Sequence, residues 1–340
     1  MLYCWEMAFI TVRSVILGSS LIRVATSFSF QRRYAQKFRQ RGVTTYSMSS
    51  SVSDASHNMS LPLSGKTAFI TGSSGGIGKA IATTFAAAGA DVILYYNLRK
   101  DGALSACEEI NNTHNDAVSK SSGERGDNSP GRCLGCIHAD FRVAKDVHTM
   151  FHSILDDILE GNLDILVNNA GIVTKLAVED DDDNLSVWHE TMSVNLHAPL
   201  QLMRLAHGHM KSNGGGVIIN NSSIHGSRSV EWMNAYAASK AALDSLTRGL
   251  ALEYAPDKVR VNAIAPGVVP VERTEHLFSD QNTVDLWTPH LPIGRLGTVQ
   301  DIADATLLLA TNEWMTGSIL TVDGGMLSRA NMPFRPRPPT

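Results

Sequence analysis

Residues 66–96, KTAFITGSSGGIGKAIATTFAAAGADVILYY, decide the fold. KTAFITGS and DVILYY are short, nearly continuous apolar runs rich in β-branched and aromatic residues, the pattern of strands buried on both faces. Between them GKAIATTFAAAGA is Ala-rich, which predicts a helix, and Gly89 gives its stop signal. Two such strands joined by a helix make a parallel βαβ unit. The turn between the first strand and the helix is TGSSGGIG, residues 71–78, with Gly72, Gly76 and Gly78 in a T-G-x-x-x-G-x-G arrangement. Glycines there let the backbone turn sharply and let a pyrophosphate approach the N–H groups of the helix N-terminus. Ser73, Ser74 and Ile77 complete the loop as further candidate contacts.

The alternation continues toward the C-terminus. CIHADF, DILVNNA, GVIINNSS and VRVNAIAPG read as further strands, each separated from the next by helix-length sequence. The expected fold is α/β, one doubly wound parallel sheet with helices on both faces, in a single domain over residues 63–328. Residues 111–132, NNTHNDAVSKSSGERGDNSPGR, are polar and without periodicity, and are expected to form a surface insertion. Residues 329–340 are a short Pro-rich tail.

Hydrophobic content of 43% and charged content of 18% supply a core, and a net charge of −4 gives no electrostatic basis for a nucleic-acid partner. Residues 1–50 nevertheless hold Arg13, Arg23, Arg32, Arg33, Lys37, Arg39 and Arg41 against Glu6 alone. Such an Arg- and Ser-rich, acid-poor segment predicts a targeting leader over residues 1–62, for mitochondrion or plastid. The alternative is a disordered segment, or a true start at Met48 or Met59, which would leave the protein cytoplasmic. MAFITVRSVILG is interrupted by Arg13 and is too short to span a membrane. The four cysteines make no disulfide framework, and the pair Cys133 and Cys136 lacks a second ligand pair for zinc, so no metal is expected. The run Glu179–Asn184 lacks EF-hand spacing and reads as a solvated loop.

Cofactor choice is read at the end of the second strand. An acid there grips ribose hydroxyls, whereas an arginine accommodates a 2′-phosphate. Here Tyr96 stands at the acid position, and Arg99 and Lys100 follow. A guanidinium pairs with a phosphate that an acid would repel, so NADP(H) is favoured over NAD(H).

NAYAASKAALDSL, residues 234–246, sets Tyr236 and Lys240 one helical turn apart. Either they line the wet edge of an amphipathic helix, or they form an acid/base pair in which the ammonium eases deprotonation of the phenol. TGSSGGIG, NNAG (168–171), Asn195, NSSIHG (221–226), YAASK (236–240), PG (266–267) and DGG (323–325) occur in this order. The set resembles the short-chain dehydrogenase/reductase family, Rossmann-type enzymes, over residues 64–327. The resemblance implies that Tyr236 is the acid/base, Lys240 its electrostatic partner and ribose ligand, Ser223 the carbonyl-orienting hydroxyl, and Asn195 the holder of a relay water. It further places Asn168 and Asp140 along the adenine side, with strand-end hydrogen bonding as the other reading of both, and counts Ala170 and Gly171 among the cofactor contacts. Pro266, Gly267 and Thr274 would flank the nicotinamide. The implied activity interconverts a secondary alcohol and a ketone on a small-molecule substrate. A 3-ketoacyl thioester, a sugar or polyol and a small ketone all remain open. The Tyr–Lys spacing disfavours enoyl reduction. The alternative is a non-catalytic nucleotide-binding regulator on the same fold. The family also suggests a homotetramer, with LQLMRLA and AALDSLTRGLAL as contact helices.

Overall fold

Seven short apolar runs pair into one parallel sheet: β1 (Thr67–Ile70), β2 (Asp91–Tyr96), β3 (Cys133–His138), β4 (Ile165–Asn168), β5 (Gly216–Asn221), β6 (Val259–Pro266) and β7 (Ile319–Val322). Their order across the sheet is β3-β2-β1-β4-β5-β6-β7. Every pairing is parallel, as strands linked by helices must be. Because the chain reverses direction across the sheet between β1 and β4, the loops after these two strands diverge and leave a crevice at their carboxyl ends.

The computed structural model describes residues 12–17, 20–25, 60–120, 129–158 and 162–329. The chain divides into two compact units, Met1–His57 and Asn58–Thr340, and the sheet belongs to the second. In the first unit Val12–Leu17 and Ser20–Ala25 pair as an antiparallel hairpin. Residues 60–62 of the expected targeting leader belong to the second unit, and the rest of it, with the tail from residue 330, lies outside the described residues.

Period-two alternation sorts the strand side chains into two cores. Phe69, Ile93, Leu166, Ile218 and Val261 face α3 (Ala144–Ser153), α5 (Ala198–Ser212) and α6 (Asn234–Tyr254). Ala68 and Ile70, Val92 and Leu94, Ile165 and Val167, and Val217 and Ile219 face the other way, toward α1 (Gly76–Ala87), α2 (Lys100–Lys120) and α9 (Val299–Thr311). Phe85 of α1 is fully buried on this second face. Truncating such a side chain to Ala costs about 3–5 kcal/mol. The three remaining helices are α4 (Ser186–Met192), α7 (Glu275–Phe278) and α8 (Gln281–Trp287). The acidic run is not only solvated: Asp181 accepts the Val187 and Trp188 N–H groups, and Asp182 that of Ser186, at the start of α4.

The expected insertion is corrected in its first half. Residues 111–120 continue α2 as helix, and residues 121–128 lie outside the described ones. The helix is anchored there by polar contacts, which leave no hydrophobic period to read. Asn111 accepts the Cys133 N–H at 2.8 Å and donates to the Cys133 carbonyl at 3.2 Å, while His114 Nδ1 lies 2.6 Å from the Pro130 carbonyl. The cysteine reading changes as well. Cys107 of α2 is disulfide-bonded to Cys133 of β3, and the Cys136 Sγ lies within 4.8 Å of both. Burial raises the Cys136 pKa, and its thiol points at the Ala103 carbonyl 3.3 Å away.

Gly131 closes this region, donating its N–H to Ala86 O at 2.7 Å. A Cβ at this position would lie 1.8 Å from Ala90 O, a backbone atom that cannot swing aside. Gly131→Ala is therefore expected to lower stability by about 3 kcal/mol or more in urea titrations. Gly208→Ala, with open space around its Cβ inside α5, should instead gain about 0.5–1 kcal/mol.

Candidate active site

The glycine loop joins β1 to α1, and its glycines are required sterically. Gly72 and Gly76 have positive φ (65° and 54°), where a side chain is strained. A Cβ on Gly78 would lie 2.2 Å from Gly72 O, so α1 packs directly on the loop backbone. Gly75 stands at the N-cap of α1 without a capping side chain, and no acid lies in the first turn of the helix. The exposed N–H groups nonetheless bind an anion, because Gly76 N donates to the carboxylate of Glu272 at 3.0 Å. A cradle without Cβ atoms and a seat that accepts a carboxylate are the features a dinucleotide pyrophosphate needs. Ile77 and Ser74 are part-exposed in this loop, whereas Ser73 is fully buried. The Ser73 hydroxyl donates to Ile70 O at 2.8 Å and accepts Tyr95 N–H at 2.9 Å. Ser73 thus ties β1 to β2, and its side chain does not reach the crevice.

Asn169, which the sequence reading passed over, holds the loop in shape. Its Nδ2 donates to Thr71 O (2.8 Å) and Gly72 O (3.1 Å). Thr71 Oγ1 accepts the N–H groups of Asn169 and Ala170, both at 2.9 Å. Asn168 points the other way. It is buried and donates to Asn220 Oδ1 at 2.9 Å, and Asn220 donates in turn to Thr247 Oγ1 at 2.9 Å. This is the strand-end hydrogen bond of the second reading, made through the amide nitrogen. Ala170 and Gly171 follow at the end of β4, and a Cβ on Gly171 would lie 3.6 Å from Lys240 Nζ.

At the β2 end, Tyr96 sits beside His138, with ring centroids 5.5 Å apart. The Arg99 guanidinium lies against Gly75, where its Nη1 would stand 2.8 Å from an added Cβ. Asp140 is engaged by Arg142, whose Nε and backbone N–H approach it at 2.9 Å. These hydrogen bonds hold the Asp140 carboxyl below its ordinary pKa. The carboxylate is thus already paired at the place where adenine contact was expected.

Ser223, Lys240 and Asn195 are buried and Tyr236 is half-buried, and they converge at the carboxyl ends of β4 and β5. Lys240 Nζ donates to the Asn221 carbonyl at 2.7 Å and lies 5.7 Å from the Tyr236 ring centroid. Burial lowers the Lys240 pKa to about 8, against a smaller opposing effect of Asp244 one turn on. Burial raises the Tyr236 pKa, while the Ser223 hydroxyl and the Arg273 guanidinium pull it back. In the protein alone desolvation outweighs the Ser223 hydrogen bond and the Arg273 charge. Asn195 lies in a wide π-type turn, Ser193–His197, between α4 and α5. It accepts Ile172 N–H at 2.9 Å, and its amide protons go to Ile172 O (2.9 Å) and Ser239 Oγ (3.2 Å).

Pro266 ends β6, and Gly267 allows the chain to pass the DGG turn. A Cβ there would lie 2.7 Å from Asp323 Cα. The Thr274 hydroxyl folds back on the Val271 backbone, with contacts of 3.1 and 3.2 Å, so it braces a local turn. Beside the crevice an apolar pocket of about 220 Å³ opens between Thr174, Leu176, Trp188, Trp232 and Ala235.

The sequence model of a family described as enoyl-(acyl carrier protein) reductase matches residues 72–327. A 3β-hydroxysteroid dehydrogenase of Eggerthella lenta is 34% identical over 269 residues, which span 78% of this chain and 94% of that protein. A 2-dehydro-3-deoxy-D-gluconate 5-dehydrogenase of Bacillus subtilis is 33% identical over 270 residues, 78% of this chain and 96% of that protein. Among solved structures, a putative NAD(P)-dependent gluconate 5-dehydrogenase of Beutenbergia cavernae, with NADP bound at low occupancy, superposes with a TM-score of 0.66. It is 32% identical and covers 78% of this chain and 98% of its own.

The buried lysine gives a prediction that needs no substrate. A native pKa near 8 against 10.5 when exposed means that the unfolded chain holds the proton between these values and the folded one does not. The stability contributed at this site should therefore rise with pH from about 8 to 10.5. Measured as the difference between the parent and Lys240→Met in urea, that gain should reach roughly 3 kcal/mol. A difference that stays flat over this range would place the lysine in water.

Proposed function

The chain belongs to the short-chain dehydrogenase/reductase family and is an oxidoreductase of secondary alcohols and ketones using NAD(P)(H), and on that footing we propose that Tyr236 is its acid/base and NADP(H) its preferred cofactor. The observation that carries the reading is the convergence of Ser223, Tyr236 and Lys240 beside a glycine loop that accepts an anion. When bound, the nicotinamide supplies or accepts the hydride. The glycine loop and the N-terminus of α1 would hold the pyrophosphate, Arg99 the 2′-phosphate, and Lys240 the ribose.

Ser223 and Tyr236 hold the carbonyl oxygen between two hydroxyls and stabilise the negative charge that develops on it. The proton that completes the alcohol leaves Tyr236 Oη, and in the oxidative direction it returns there. The phenol is protonated at neutral pH, the form that donates in the reductive direction. Both amide protons of Asn195 are in use, so its side chain could take part in a proton relay only by accepting through Oδ1.

The family resemblance supports a homo-oligomer, taken as a tetramer, which light scattering would size. The basic leader supports import into a mitochondrion or plastid, readable from a fluorescent fusion. No helix among the described residues is long and apolar enough to cross a membrane.

The decisive test follows nicotinamide absorbance over a panel of oxosteroids, ketoacyl thioesters and keto sugar acids. Turnover with NADPH on at least one ketone is expected. Tyr236→Phe should lower kcat by about 10³-fold and leave the NADPH Kd within about threefold. Undiminished turnover in Tyr236→Phe would remove the tyrosine from its role.

A further inference from the structure

The segment after β6 places an acid where a cofactor phosphate belongs. Glu272 Oε1 accepts the Gly76 N–H at 3.0 Å across 196 residues of sequence, and Oε2 lies 3.9 Å from the Arg99 guanidinium. Gly75 makes room for this arrangement, since an added Cβ would stand 2.8 Å from Arg99 Nη1 and 2.9 Å from Glu272 Oε1. Val271 closes over the same spot, its side chain 3.1 Å from a Cβ on Gly76. Partial burial pushes the Glu272 pKa up. The Gly76 N–H and the charges of Arg99 and Lys79 outweigh it, so the carboxyl is ionised at neutral pH. Helix α1 has no cap or first-turn acid of its own, so Glu272 provides the negative charge its N-terminus favours.

Two anions cannot share this seat. We propose that Glu272 is a specificity-determining residue that competes with the dinucleotide for the N-terminus of α1 and for Arg99. It must be displaced before the phosphates settle, and so it lowers affinity for both nicotinamide dinucleotides. Because it also pairs with the guanidinium that would meet a 2′-phosphate, it lowers the affinity for NADPH more than that for NADH. The proposal rests on the reading of this loop as the dinucleotide site.

The experiment is a binding titration on the full chain, independent of turnover. NADPH, NADH and adenosine 2′,5′-bisphosphate are each titrated calorimetrically into the parent, Glu272→Gln, Arg99→Ala and the double variant. Glu272→Gln keeps the shape of the side chain and removes its charge. It should tighten NADPH by about tenfold and NADH by about threefold. In the Arg99→Ala background the NADPH gain should shrink to the NADH gain, because the shared partner is gone. Melting curves should show a Glu272→Gln protein that is slightly less stable alone and more strongly stabilised by NADPH than the parent. Unchanged or weaker dinucleotide binding in Glu272→Gln, with a normal melting curve, would overturn the proposal and make Glu272 a structural cap or a cofactor ligand. A parent that binds neither dinucleotide would instead overturn the site assignment beneath it.

Discussion

A single carboxamide, that of Asn169, sets the geometry on which both halves of the crevice depend. Its nitrogen fixes the carbonyls of Thr71 and Gly72, and its oxygen accepts from Asn221 Nδ2 at 2.8 Å. The Asn221 carbonyl then accepts the ammonium of Lys240 at 2.7 Å. The chain glycine loop, Asn169, Asn221, Lys240 is thus continuous and runs across the carboxyl ends of β1, β4 and β5. Each bond is worth only about 1 kcal/mol net, but a buried group left unpaired costs about 1–3 kcal/mol. The network is consequently held as a unit.

The same burial that fixes the site sets its protonation. Lys240 is surrounded by protein, and desolvation draws its pKa toward neutrality. Tyr236 is raised by the same cause. Asp244, one turn beyond Lys240, is also desolvated, with its pKa raised by burial and partly restored by Ser222, Arg248 and Lys240. The three groups therefore all tend toward their neutral forms. Charge in this crevice is kept by specific partners rather than by water, which leaves the site responsive to any charged group that enters it.

The fold was legible because it rests on the most repetitive features of the sequence. Five of the expected strands fall on β1, β2, β4, β5 and β6, CIHADF overlaps only the second half of β3, and the glycine loop lies where the βαβ pattern put it. The family's ordered motifs located Ser223, Tyr236 and Lys240, which the fold does bring together. Side-chain direction was less legible. In NNAG the two asparagines are equivalent as text, yet strand alternation sends Asn168 to Asn220 and leaves Asn169 to hold the loop. Ser73 looks like a loop contact but is consumed by the neighbouring strand. Residues 111–120 look irregular because polar side chains, not apolar ones, anchor them to β3. The disulfide pairs residues 26 apart in sequence, and spacing alone carries no sign of that pairing.

The segment after β6 shows why charge in a loop cannot be read from composition. In VERT, residues 271–274, the resemblance singled out Thr274 alone, and the two charges had no reading. In the structure each residue has its own direction. Val271 covers Gly76, Glu272 meets the N-terminus of α1, Arg273 acts on Tyr236, and Thr274 braces the turn. Glu272 and Arg273 are consecutive, and so the phosphate end and the acid/base end share one stretch of backbone. The carboxylate is held by one hydrogen bond and one long ion pair, while no hydrogen bond or ion pair holds the Arg273 guanidinium among the described residues. The two chemical ends of the crevice are thus joined through a peptide bond, in addition to the hydrogen bonds that run through Asn169.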